Sequence, residues 1–196
     1  GTADEITAAA WTFSSDPATI RSLIEFDLGG IPSGSIVNSA YLSLYATDNT
    51  GGMGQHSTSS GSNACWLERV VSYWGESTVT WNTQPATTAQ NRVELAASVS
   101  ATQDYLNTDV TALVQDMVNA PANSFGFMLK LQDEQYYRRM TFASSDHASS
   151  GFRPKLAVTY TEPVTTDTCI ALRPEGYSGK DAFLLFQSYG FPLEMT

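Results

Sequence analysis

Charge is scarce in this 196-residue chain: 15% of its residues are Asp, Glu, Lys or Arg, and ten bases stand against twenty acids. A net charge of −10 repels a phosphate backbone or an anionic bilayer over most of the surface, so nucleic acid is not an expected partner. Long apolar runs are lacking as well. The longest, Ala182-Phe183-Leu184-Leu185-Phe186, has five residues, where a membrane helix needs about twenty; no membrane insertion is expected. Gly1 opens no charged-then-apolar leader, which reads as a mature or excised chain.

Cysteine and histidine occur twice each. Cys65 and Cys169 are about a hundred positions apart with no His or Cys at ligand spacing, so a structural zinc site is not expected. They form one disulfide, within or between chains, or remain two buried thiols; spacing alone fixes no geometry. His56 and His147 both fall in Gly- and Ser-rich stretches and read as solvated loop residues. No Gly-x-Ser-x-Gly elbow and no His-Glu-x-x-His pair occurs, and nothing in the sequence supports an enzyme. Asp133-Glu134, and Glu25 with Asp27, read as surface charge rather than the acid and base of a glycosidase. Asp48, Asp133, Glu134 and Asp146 are the acids that could hold Ca²⁺ from loops, but no Asp-x-Asp-x-Asp-Gly loop is present. No resident metal or cofactor is expected.

What the sequence does contain is a succession of short strands, rich in aromatic and β-branched residues and punctuated by Gly, Pro, Ser and Asn. Ile20 to Leu28, Ser35 to Ala46, Cys65 to Ser72, Thr78 to Asn82, Phe125 to Leu131, Met140 to Ala143 and Lys155 to Thr161 are the expected strands. The polar, Gly-rich stretch from Asp48 to Asn63 is expected to be a long surface loop. Thr83 to Thr108 has weak strand signals and is expected to connect with short edge pieces. Val110, Leu113, Val114, Met117 and Val118 recur at helical spacing between Asp109 and Ala120. That predicts one short helix, capped by Thr108 or Asp109, ended by Pro121, and covering one end of a β-sandwich.

Residues 162–168 have the Pro and Thr content of an extended linker. Beyond it, residues 169–196 hold two short apolar stretches, Cys169-Ile170-Ala171-Leu172 and Ala182 to Phe186. Two short strands do not hold together alone in water, so this tail is expected to pair with an existing sheet, its own or another chain's.

Several blocks carry a family resemblance. Leu23-Ile24-Glu25-Phe26-Asp27-Leu28 with Ile31-Pro32-Ser33-Gly34, Trp74-Gly75-Glu76-Ser77-Thr78-Val79-Thr80-Trp81-Asn82, Asp109 to Asp116, and Phe142-Ala143-Ser144-Ser145-Asp146 with Arg153-Pro154-Lys155-Leu156 occur in that order. Together they resemble the DNRLRE domain, or disaggregatase-related repeat, across residues 20–161. The resemblance implies an all-β, jelly-roll-like antiparallel β-sandwich over residues 1–161, a secreted or cell-surface extracellular setting, and in some members polysaccharide binding. Its phase is displaced. Gly179-Lys180-Asp181-Ala182-Phe183-Leu184 looks like the family's first strand, placed at the C-terminus.

Three arrangements produce that displacement: a tail that folds back, one period of a tandem repeat, or a tail that completes the next subunit. The leading expectation is the last. Cys169, Ile170, Leu172, Ala182, Phe183, Leu184, Leu185 and Phe186 would form a donor segment in a homopolymer, and head-to-tail donation yields a structural filament or surface fibre. A Cys65–Cys169 bond between subunits would lock it. The alternative is a secreted carbohydrate-binding module of a larger polysaccharide-associated protein. For that reading Trp66, Tyr73, Trp74, Trp81, Tyr136 and Tyr137 are the rings able to stack on sugars. Trp74 and Trp81, within the signature and beside apolar neighbours, read as core. Tyr136-Tyr137-Arg138-Arg139 is the best surface patch, for a glycan or for a subunit contact.

Overall fold

The described residues fold as antiparallel sheets around one hydrophobic core, with one α-helix packed against it. A computed structural model describes residues 3–47 and 54–164. The compact unit runs from Gly1 to Pro163. Among the described residues the strands are β1 (Glu5–Phe13), β2 (Asp16–Ile20), β3 (Ser22–Ile24), β4 (Ile36–Leu44), β5 (Ser57–Thr58), β6 (Cys65–Val70), β7 (Thr87–Leu95), β8 (Tyr105–Asp109), β9 (Phe127–Leu131), β10 (Arg138–Ala143) and β11 (Lys155–Thr161); α1 is Thr111–Asn119. They form three sheets, ordered β2-β1-β10-β5, β11-β4-β8 and β3-β9-β6-β7. The first two meet through a bridge between Ala46 and Phe142. This is the antiparallel all-β architecture with one short helix that the strand spacing predicts.

Alternation decides which side chains enter the core. Ala8 and Ala10 of β1, Phe127, Leu129 and Leu131 of β9, and Met140 and Phe142 of β10 are buried in one cluster with Leu42, Leu44 and Leu67. Leu113, Val114, Met117 and Val118 of α1 enter the same cluster, and the helix packs on β4, β6 and β7. Its N-cap residue is Val110, whose side chain cannot cap it, and the residues on either side hold the first turn. Asp109 Oδ1 accepts the Thr111 amide at 2.9 Å, and Thr111 Oγ1 accepts the Ala40 amide at 2.9 Å.

Four expectations change. The segment Ile20 to Leu28 is not one strand: the chain leaves the first sheet at Ile20 and enters the third at Ser22, turning a corner at Arg21. Ser22 Oγ seals that corner, accepting the Thr7 amide at 2.7 Å and donating to the Thr7 carbonyl at 2.9 Å. Thr78 to Asn82 is a turn leading into a 3-10 turn over Trp81–Thr83, because Thr80 and Thr83 bond each other and the Thr80 amide donates to Thr83 Oγ1. The supposed connection from Thr83 to Thr108 holds a full nine-residue strand, β7, and a five-residue one, β8, whose pairing with β6 and β4 overrides weak local propensity.

His56 is the fourth. It is buried rather than solvated: its Nδ1 accepts the Thr141 amide at 3.0 Å, its Nε2 donates to the Gln103 carbonyl at 2.8 Å, and its ring packs edge-on to Phe142. The imidazole thus takes up a β10 amide just before the short β5 begins. Cys65 is a free thiol, fully buried in β6, and burial pushes its pKa up. The tail residues Cys169, Ile170, Leu172 and Ala182 to Phe186 lie outside the described residues, as does Asp48.

Candidate functional site

A cleft of about 730 Å³ opens at the β2–β3 corner. Its floor is apolar, with Ile20, Met128 and Val79, and the turn from Trp74 to Gln84 forms one wall. Trp81 stands on that wall 51% exposed, so it is not the core residue its neighbours suggest. One face of its ring is covered by the Arg21 guanidinium, 5.0 Å from the ring centroid.

Arg21 is itself fixed. Its Nε and Nη2 donate to the two carboxylate oxygens of Glu134 at 2.7 and 2.9 Å, and Nη1 donates to Gln84 Oε1 at 2.9 Å. The bond to Glu134 holds the guanidinium pKa above its ordinary value against the opposing effect of burial. Gln84 Nε2 in turn donates to the Trp81 carbonyl at 3.0 Å. The guanidinium over the ring is therefore fixed by two partners distant from Arg21 in sequence, the pairing with Glu134 having a bidentate geometry that lysine could not reproduce. Trp74 is anchored separately, its indole N–H donating to the Phe125 carbonyl at 2.9 Å. Around this platform Glu5, Glu25, Glu76, Thr80, Ser145 and Asp146 form a polar rim. Apolar rings with convergent hydrogen-bonding groups on an otherwise pre-formed surface are what a small polar ligand requires.

The sequence profile of carbohydrate-binding module family 96 matches residues 6–160. The chain belongs to that family. No curated protein sequence matches it. Membership corrects three expectations. The family is carbohydrate-binding module family 96 and not a DNRLRE repeat family; the function is that of a carbohydrate-binding module and not of a filament subunit; and the partner is carbohydrate rather than a homopolymer built by C-terminal strand donation. The blocks used for the earlier resemblance lie within the matched span, so what they carry is this module's sandwich. The displaced tail, on which polymerisation rested, lies beyond it. The module is non-catalytic, and an extracellular setting agrees with its family.

The structure brings together only part of the sequence-predicted surface patch. Tyr136 and Tyr137 are 42% and 44% exposed, with rings 6.5 Å apart, and Tyr137 stands edge-on to Trp11 at 5.3 Å. Tyr137 is held at a positive φ of 68°, an uncommon backbone for an aromatic residue. Arg138 points elsewhere: it is buried and donates to Asp133 at 2.5 Å and to the Ser60 carbonyl at 3.0 Å. Arg139 lies over the Trp11 ring, 4.7 Å from its centroid, and donates to the Gln55 carbonyl at 2.7 Å. Trp66 is likewise occupied, beneath Arg92 at 3.8 Å. The acids considered for calcium are dispersed, Asp133 on Arg138 and Glu134 on Arg21, and no group of three potential metal ligands occurs among the described residues. No described helix is long and apolar enough to cross a membrane.

Arg21 and Gln84 were not singled out by sequence. The partners of Arg21 are 63 and 113 positions away. In the sequence it is only the cation of an alternating stretch whose same face carries Glu25 and Asp27.

Proposed function

We propose that this module binds a polysaccharide chain in the corner cleft, with the open face of Trp81 as the stacking platform and the rim groups of Thr80, Gln84, Ser145 and Asp146 reading sugar hydroxyls. The observation that carries this reading is the Trp81 ring itself: half exposed, backed on one face by Arg21 and free of a fold-stabilising duty on the other. A ring fixed before binding costs little ordering entropy when a pyranose settles on it. In this role the chain targets a secreted or cell-surface assembly to its polysaccharide and leaves chemistry to other domains. Affinity electrophoresis of the full chain and its Trp81→Ala variant against a panel of soluble polysaccharides tests it. A glycan retained by the parent and released at least 10-fold more readily by the variant is expected; retention unchanged by the substitution overturns the assignment to this cleft.

A second contact is proposed at Tyr136 and Tyr137, supported by their exposure and by their edge-on packing with each other and, for Tyr137, with Trp11. Trp11 lies six residues along β1 from the cleft residue Glu5, about 20 Å at strand spacing. Two such contacts on one glycan would add avidity rather than a new specificity.

A further inference from the structure

We infer that the buried imidazole of His56 is an acid-operated catch for the Tyr136–Tyr137 contact, so that acidification weakens retention on long polysaccharide chains while the corner cleft keeps its grip. This rests on the two tyrosines being a glycan contact. The catch is the stretch from Gly54 to Ser60, which supports both ring positions. Gln55 supplies the carbonyl that accepts Arg139 Nε at 2.7 Å, and that guanidinium lies over Trp11, the ring against which Tyr137 stands edge-on. At the other end of the stretch Ser60 Oγ donates to the Tyr136 carbonyl, and the Ser60 carbonyl accepts from Arg138 Nη2 at 3.0 Å.

His56 sits between those ends. β5 gives β10 two residue pairs, Ser57 with Arg139 and Thr58 with Arg138, a ladder too short to hold by itself. The imidazole extends it, since Nδ1 accepts the Thr141 amide at 3.0 Å while Nε2 donates to the Gln103 carbonyl at 2.8 Å. The stretch also borders a polar cavity of about 350 Å³ lined by Ser57, Thr58, Ser59, Ser98 and Ser100, which leaves it room to move.

Protonation reverses the bond to β10. An imidazolium carries N–H on both nitrogens, so a donor would face the Thr141 amide whichever way the ring is turned. Phe142 of β10 presents an apolar ring to it. Arg139 on β10 repels the added charge, and Glu5 of β1 acts on Arg139 in turn. Asp104, in the segment entering β8, attracts it, but its Oδ1 already accepts the Ala46 amide at 2.9 Å. Tyr105 packs edge-on at 6.1 Å, and burial pushes its phenol up to about 12, so it stays neutral. Burial disfavours the charged ring further, and the strain is relieved when the stretch leaves β10. Gln55 and Ser60 go with it, Arg139 loses its acceptor, and the two tyrosines are no longer held in place.

The test compares the full chain, Tyr137→Ala, His56→Gln and His147→Gln at about pH 7.5 and about pH 5, on either side of the ordinary histidine value. Affinity electrophoresis uses long chains of β-glucan, xylan, mannan, polygalacturonate and polymannuronate, and calorimetry uses the hexasaccharide of each. Gln at position 56 keeps an oxygen able to accept from Thr141 and does not titrate. His147 is the other histidine and lies against Phe152; replacing it leaves His56 as the one imidazole signal in a proton NMR titration. The full chain and His147→Gln are expected to lose about 2- to 5-fold in long-chain affinity at the lower pH, with hexasaccharide affinity unchanged. Tyr137→Ala and His56→Gln should show no acid loss on long chains. The midpoint of the loss should coincide with that of the His56 ring, below about pH 6.5.

Long-chain affinity of the full chain that is equal at both pH values, with Tyr137→Ala weaker at pH 7.5, would overturn the inference and leave the tyrosine contact standing. An acid loss that persists undiminished in Tyr137→Ala or His56→Gln would overturn it too, by assigning the effect to other groups. Should His56→Gln not fold, the comparison with Tyr137→Ala and the match of midpoints still decide. If Tyr137→Ala holds long chains as the full chain does at pH 7.5, or no polymer is held, the tyrosine contact falls and the inference with it.

Discussion

The Glu134 carboxylate grips Arg21 through both of its oxygens, 113 positions away in sequence, and so holds the guanidinium over the ring of Trp81. The pair is about a quarter exposed on each side, so its direct worth to stability is about 1 kcal/mol or less. Its worth to binding is positional. In Glu134→Gln one oxygen remains to accept from Arg21, and the guanidinium loses its charged partner. Glycan affinity is expected to fall about 3-fold, with a melting temperature within about 2 °C of the parent. Isothermal calorimetry with differential scanning fluorimetry checks both, and a loss as large as that of Trp81→Ala would mean that Glu134 itself touches the sugar.

Acid should loosen the fold through His56. Burial holds its pKa below the ordinary value, with Arg139 adding to the depression and the Gln103 carbonyl and Asp104 opposing it. Protonation would turn Nδ1 into a donor facing the Thr141 amide, which it now accepts. Because the unfolded histidine takes up its proton near pH 6.5 and the folded one only at lower pH, the unfolded state binds more protons in that window. Stability is expected to be level above about pH 6.5 and to decline as pH falls below it. Melting curves between about pH 8 and 5 should show the decline in the parent. In His56→Gln the melting temperature should be lower at neutral pH, and the slope shallower. An equal slope in both proteins would assign the effect to carboxylates instead.

Gly126 precedes β9 with φ at +85°, and a Cβ placed on it would lie 2.2 Å from the Ile24 carbonyl oxygen. That close approach lets β3 enter the third sheet and form the corner. Gly126→Ala combines a left-handed backbone with a backbone clash, and a loss of about 2 kcal/mol or more is expected. Urea unfolding followed by tryptophan fluorescence measures it; a change below about 0.5 kcal/mol would show that the corner yields.

Tyr137→Ala removes an exposed ring that packs on Trp11 and Tyr136 and is not part of the buried cluster. Stability should change by less than about 1 kcal/mol, while retention on a long polysaccharide falls about 2- to 5-fold through lost avidity. Short oligosaccharides that fill only the cleft should bind parent and variant alike, a contrast that calorimetry with both ligand lengths resolves.

Local pattern carried much of the fold. The strands expected over Ser35 to Ala46 and Lys155 to Thr161 are nearly reproduced as β4 and β11, and the helical spacing of Val110, Leu113, Val114, Met117 and Val118 located α1 within two residues at each end. Those signals are local because each reports a single face turned towards one core. β7, whose Thr-, Gln- and Asn-rich sequence lacks that alternation, is a strand because β6 offers it partners.

Composition and strand spacing by themselves marked an acidic, polar-surfaced β-protein, and the signature blocks fall within the span that matches the carbohydrate-binding module family. Only the tertiary structure decided how its aromatic residues are placed. Trp81 and Trp66 sit in similar local sequence, each near apolar and polar neighbours, yet Trp66 is closed beneath Arg92 while Trp81 keeps a face open. Whether a ring is core, clamp or platform depends on which distant side chain the fold lays against it. Arg21, Gln84 and Glu134 meet because a strand turns a corner between two sheets. That contact is a matter of long-range geometry, and no window of sequence contains it.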